Sequence, residues 1–331
     1  MKIYIDGWFI PLVKQPYTFF DNIDSIPNDC DIIGITFYNN LFHQHAETIQ
    51  KLLPKTKKLL INISEPAVRP LVLRKFLESI KHPNIHVFGD AVLNYSTNNW
   101  KTIISWFIAP ENFYANRPWA QDLLQQLIPW QQKIAKKSFD CLLGTKRPNR
   151  DFIANAYHNS VLKGSVEFTY YHDHGNLKGM HIPRGLGPID QNHNSTYQGQ
   201  LVNISWMIPV DVYNSSWYSI VAETTQYNDH NQYTEKVAKP IVAGRPFVVF
   251  AGQYYLQNLR KLGFKTFSSV IDESYDLVEN SNDRWQQGWN QVEQLCKLNP
   301  QQVYSALESV LEHNRRHFIE TDWHAEIKSY F

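Results

Sequence analysis

Phe139-Asp140-Cys141-Leu142-Leu143-Gly144-Thr145-Lys146-Arg147-Pro148-Asn149-Arg150, running on into Asp151–Asn159, is the stretch that decides the fold. A short apolar run meets a glycine and a basic turn, and a helical segment follows. This reads as a buried strand emptying into a helix, the first half of a strand–helix–strand unit. The pattern returns downstream. Trp217–Ala222 predicts a strand ending at Glu223, Phe247–Phe250 an all-apolar strand after Gly244-Arg245-Pro246, and Tyr255–Leu262 a helix. Tyr233-Thr234-Glu235-Lys236 opens another helix, with Thr234 as N-cap and an acid in the first turn. Helices over Arg284–Leu298 and Pro300–Ile319 follow.

The N-terminal part has the same organisation. Lys2–Ile5, Asp31–Tyr38, Lys58–Ile63 and Asn84–Phe88 are short apolar runs, separated by helical patterns at His45–Leu53 and Arg69–Ile80. Alternation of this kind predicts a mostly parallel sheet with right-handed crossovers, and ligands gather at the carboxyl ends of such strands. Asp6, Asn39-Asn40, Ser64-Glu65 and Gly89-Asp90 fall at those ends. Pro118–Lys137 reads as one connecting helix that Pro129 must kink or split. The expected fold is α/β, with two Rossmann-like domains facing a central cleft. Residues 1–137 form the N-terminal domain and its linker helix, 138–300 the C-terminal domain, and 301–331 helices that strap the two together.

The 331 residues fit two domains at about 100–200 residues each. No apolar run reaches the ~18 residues of a membrane helix, and Asp6 breaks any leader-peptide core at the start, which places the chain in the cytoplasm. Lys plus Arg number 32 against 31 for Asp plus Glu, so no strong non-specific nucleic-acid binding is expected. Cys30, Cys141 and Cys296 are odd in number and widely spaced, which argues against a disulfide scaffold or a four-thiolate zinc site.

Lys146, Arg147 and Arg150 flank one turn ahead of a helix N-terminus, a pattern suited to an anion through side-chain charge and free N–H groups. The plainer alternative is a solvated basic turn. Residues 168–214 are irregular; His172 and His174 make a metal pair with no third ligand at a recognisable spacing, and no metal is assigned. The acids Asp272, Glu273 and Asp276 read as caps and turn residues.

Tyr233-Thr234-Glu235-Lys236, then a helix, then Gly244-Arg245-Pro246-Phe247-Val248-Val249-Phe250, resembles the nucleotide-sugar signature of the alpha-1,3-fucosyltransferases. Leu256 to Phe267 and Ile271 to Asp276 are similar to runs in phage and bacterial proteins of glycosyltransferase type. The resemblance covers roughly residues 139–290. It implies the two-Rossmann arrangement called GT-B, with the donor held by the C-terminal domain and no cofactor beyond that donor. It further implies that Glu235 meets ribose hydroxyls, that Lys236 pairs with phosphate, and that Lys146, Arg147 and Arg150 take the diphosphate. Glu223, Tyr233 and Thr234 complete the donor site. The loop before Tyr233 carries Asp229-His230-Asn231, a departure from the family that leaves the nucleotide open.

A metal-independent inverting transfer needs a carboxylate to take the acceptor's proton. Topology offers Glu65, Asp90 and Asp6, with Glu65 favoured. The expected activity is glycosyl transfer from a nucleotide diphosphate sugar to a hydroxyl of a glycan, or of a hydroxymethylated base in phage DNA. Two rivals are a non-catalytic nucleotide- or glycan-binding protein and a phage structural protein.

Overall fold

The computed structural model describes residues 1–7, 13–38, 42–64, 70–80, 82–89, 91–95, 100–102, 117–171, 182–191 and 193–331. The chain divides into two compact units, Met1–Trp106 with Asp322–Phe331, and Phe107–Thr321.

The first unit contains β1 (Ile3–Ile5), β2 (Thr18–Phe19), β3 (Cys30–Tyr38), α1 (Phe42–Leu52), β4 (Thr56–Ser64), α2 (Pro70–Ser79), β5 (Ile85–Gly89), β6 (Ala91–Leu93) and β7 (Trp100–Thr102). Its sheet runs β2-β1-β3-β4-β5-β7, parallel throughout the described residues. Why β3 and β4 read as largely apolar runs is plain in the packing. Ile33, Ile35, Phe37, Leu59, Ile61 and Ile63 meet Ile49, Leu52, Phe76 and Leu77 of the helices on one face. Ile32 and Leu60, with Phe88, meet Ile327 on the other. Strands covered on both faces need no polar side, so the alternation of a half-exposed strand is absent.

The second unit contains α3 (Pro118–Gln125), β8 (Lys137–Leu143), α4 (Pro148–Asn159), β9 (Val166–Tyr170), the antiparallel pair β10 (Asn194–Tyr197) and β11 (Gln200–Asn203), and α5 (Val210–Ser215). It continues with β12 (Ser216–Ala222), β13 (His230–Gln232), α6 (Glu235–Val242), β14 (Phe247–Phe250), α7 (Tyr255–Lys261), α8 (Ser281–Leu295) and α9 (Pro300–Glu320). The sheet order is β14-β12-β8-β9, again parallel. The fold is therefore mixed α/β with a parallel sheet in each unit. After α9 the chain returns to the first unit with α10 (Ala325–Lys328).

The connecting helix expected over 118–137 stops at Gln125, ahead of Pro129, and only a 3-10 turn at Trp130–Gln132 follows. A proline cannot donate the helical hydrogen bond, and it disfavours helical geometry in the residue before it. No helix among the described residues is long and apolar enough to cross a membrane.

At the start of β14, beside the middle of β8 and the first half of β12, lies a buried ion pair, Arg245 with Asp140 at 2.7 Å. The Arg245 guanidinium also donates to the carbonyls of Tyr213, Ser216 and Tyr218 and to the hydroxyls of Ser216 and Ser219. With all its donors engaged, the buried charge is tolerated, and β8, β12 and the start of β14 are fixed together.

Candidate functional site

The second sheet has a switch point. From β8 the chain moves to β9 on one side, then returns to β12 and β14 on the other. In open parallel sheets the crevice at such a point, outside the carboxyl ends, is where ligands bind. A hollow of ≈ 280 Å³ opens there, lined by Leu142–Thr145 at the end of β8, by Thr224 after β12, and by side chains of α4 and α6.

Arg147 and Arg150 share this hollow with Glu235 and Lys236, a pair far from them in sequence, and Lys239 joins them. Tyr171, Pro183, Ile204, Met207 and Pro209 form its less polar side. Four cations against one carboxylate make the hollow electropositive and suited to an anion.

Each charged group is placed by local physics. Arg147 is the N-cap residue of α4, and its side chain has no hydrogen bond or ion pair among the described residues. Arg150 is buried and donates to the Thr145 carbonyl at 2.5 Å; burial, then the neighbouring Arg147 charge, pushes its pKa down. Glu235 opens α6 and accepts from Lys236 Nζ at 2.5 Å. Burial alone would raise the Glu235 pKa, but Lys236 and Lys239 outweigh it and hold the carboxyl below its ordinary range.

The α6 start is built as the sequence indicates. Thr234 is the N-cap, accepting from the Lys236 N–H. At the far end Gly244, at φ 62°, closes a Schellman turn, with Gly244 N–H donating to Ile241 and Arg245 N–H to Pro240.

Other predicted site residues are placed elsewhere. Lys146 does not line the hollow; it is exposed and pairs with Asp151 at 3.9 Å. Tyr233 is fully buried, donating to the Tyr255 carbonyl at 2.8 Å, and Thr234 is buried beneath the α6 start. Glu223 is buried as well, accepting from Thr234 Oγ1 at 2.6 Å, Thr234 N at 3.2 Å and Tyr255 Oη at 2.8 Å. These three residues support the Glu235–Lys236 corner from behind.

The free N–H groups expected at the α4 N-terminus are also occupied. Pro148 has none, the Asn149 N–H meets Gln226 Oε1 at 3.4 Å, and the Arg150 N–H meets Asn149 Oδ1 at 3.0 Å. Anion attraction at this end therefore rests on the side chains.

Two residues were missed in the sequence. Asn149 donates to the Glu223 carbonyl at 2.9 Å and the Phe250 carbonyl at 2.8 Å, pinning α4 to the ends of β12 and β14. Lys239 lies four residues after Glu235, one turn along the same face of α6. That spacing was the available signal.

Asp276 accepts from the Leu256 and Gln257 N–H groups and caps α7, while Glu273 holds Thr266, Phe267 and Arg260. Among the described residues no group of three or more His, Cys, Asp or Glu side chains is placed to hold a metal ion. His172 and His174, and the base candidates Glu65 and Asp90, lie outside the described residues. Asp6 accepts from both the N–H and the hydroxyl of Thr36, a local structural duty. No protein-family model matches the chain, and no curated protein does.

Proposed function

We propose that the protein is a glycosyltransferase of GT-B type that holds a nucleotide diphosphate sugar in the hollow of the second unit. The supporting observation is that Arg147 and Arg150, with Glu235 and Lys236, a pair far from them in sequence, line one electropositive hollow at the switch point of a parallel sheet. In a direct displacement, negative charge builds on the departing diphosphate. Cations already in place stabilise it without reorganising. Arg147 presents a planar fork to the phosphate oxygens, Lys236 a point charge, and the Glu235 carboxylate accepts from sugar hydroxyls.

The reading requires no metal. The acceptor is a glycan or a modified DNA base, a carboxylate takes the proton of its hydroxyl, and the reaction takes place in the cytoplasm.

Thermal unfolding in the presence of ADP-, CMP-, GDP- and UDP-sugars tests the donor site. One class raises the melting temperature of the wild type, and Arg147→Ala abolishes that rise while leaving the unliganded melting temperature unchanged, because its side chain holds no other residue among those described. A wild type indifferent to all four classes, or an Arg147→Ala variant that responds equally, removes the assignment. Slow release of free sugar from the responding donor then distinguishes an enzyme from a binding protein.

A further inference from the structure

Lys239 lines the same hollow, and its ammonium donates to the Ser205 carbonyl at 2.9 Å. Ser205 also lines the hollow, in the turn that follows β11. The lysine thus stands on α6 one turn beyond Glu235 and Lys236 and reaches across to the opposite wall.

We infer that Lys239 is a fourth binding cation for the phosphate end of the ligand, and that the same side chain holds the Ser205 turn against α6. This rests on the donor-site reading above. Geometry supports both parts. An ammonium has three donors, one is spent on Ser205, and the others remain for phosphate oxygens.

The charge of Lys239 is conditional. Burial works to discharge it and is the largest influence; Glu235 opposes this, Lys236 adds to it, and Asp140 of β8 opposes it, leaving the amine at about 8. From the α4 side, Arg147 and Arg150 face the same hollow. Binding through a protonated Lys239 therefore weakens as pH rises through that value. A ligand phosphate, with its last pKa near ~6, is already ionised across the range and contributes little to the change.

Calorimetric titration of the full chain with ADP, GDP and UDP from pH 7 to 9 provides the test. The wild type loses about fivefold in affinity for its preferred diphosphate over that range, as expected if the protonated lysine binds about tenfold more tightly than the neutral one. Lys239→Arg stays tight at both ends, since a guanidinium keeps its charge. Lys239→Met is about tenfold weaker at pH 7 and no longer responds to pH.

A wild-type profile that is flat, or a Lys239→Met profile as steep as the wild type, overturns the inference while leaving the donor site standing. A purely supportive lysine would give the flat wild-type profile, because a neutral amine still donates to Ser205. Failure of the wild type to bind any of the three at pH 7 removes the donor site and this inference with it.

Discussion

Glu223 shows how one buried carboxyl can organise a site it does not line. Its two oxygens satisfy the Thr234 N–H and hydroxyl, the Tyr255 hydroxyl and, at 3.3 Å, the Thr224 N–H. Burial is the largest influence on its pKa and drives it up, and Lys236, Thr234 and Tyr255 recover only part of the shift. The folded pKa thus lies above the unfolded one. Stability from this group is complete below the ordinary carboxylate range and is lost as pH climbs through the raised value. Urea unfolding of Glu223→Gln, which carries no charge at any pH, isolates the effect. The stability of the wild type relative to this variant falls from pH 5 to pH 8; a relative gain over that interval would contradict it. Glu223→Ala, which orphans several buried donors, costs about 3 kcal/mol at pH 7.

At the scale of elements, the loop after β12 and the turn after β14 pass so closely that only glycine fits between them. A Cβ on Gly252 would stand 2.0 Å from the Tyr227 carbonyl oxygen and 3.2 Å from Asn231 Nδ2. The Asn231 amide donates to the Gln253 carbonyl at 3.1 Å, so this close approach also fixes the segment leading to Thr234 and α6. Gly252→Ala must push the loop away, at about 1–3 kcal/mol for forced overpacking. The displaced segment carries Glu235 and Lys236 with it. The expected outcome is a lower urea midpoint together with weaker diphosphate binding, and wild-type values for both would show that the loop yields freely.

The same elements explain which parts of the fold were legible. β3, β4, β12 and β14 are covered on both faces and appear in sequence as largely apolar runs without strict alternation. β9 sits at the sheet edge and interleaves Glu167 and Thr169 with its apolar residues, so Val166–Tyr170 merged into the irregular middle. In the site, Arg147 and Arg150 were legible as a basic turn between a strand and a helix start, and Glu235 and Lys236 as a helix start behind Thr234 within the stretch that carries the resemblance. Lys239 reads as an ordinary surface lysine until α6 is seen against Ser205. Asn149 and Arg245 could not be read at all. The groups their side chains donate to lie 26 to 105 residues away, and only the assembled strands bring them within reach.

For the whole chain, charge decides what kind of phosphate it can hold. Cations exceed acids by 32 to 31, so no net field draws the molecule to a polyanion. Many cations are also committed to acids beside them: Lys57 to Asp31, Arg74 to Glu78, Arg245 to Asp140 and Arg260 to Glu273. The excess is instead local, in a hollow where four cations meet one carboxylate. Duplex DNA rewards many phosphate contacts spread along a face, and a protein that makes only a few of them binds it weakly at physiological salt. A hollow suited to one diphosphate supplies two or three. The purified protein should therefore pass through an immobilised duplex-DNA column at ~0.15 M salt, where the screening length is about 8 Å. The same salt leaves the partly buried diphosphate site largely occupied, because enclosed charges are screened less than exposed ones. Retention on the column that weakens only at higher salt would mean that an extended basic face exists. It would then favour a base within duplex DNA over a glycan as the acceptor.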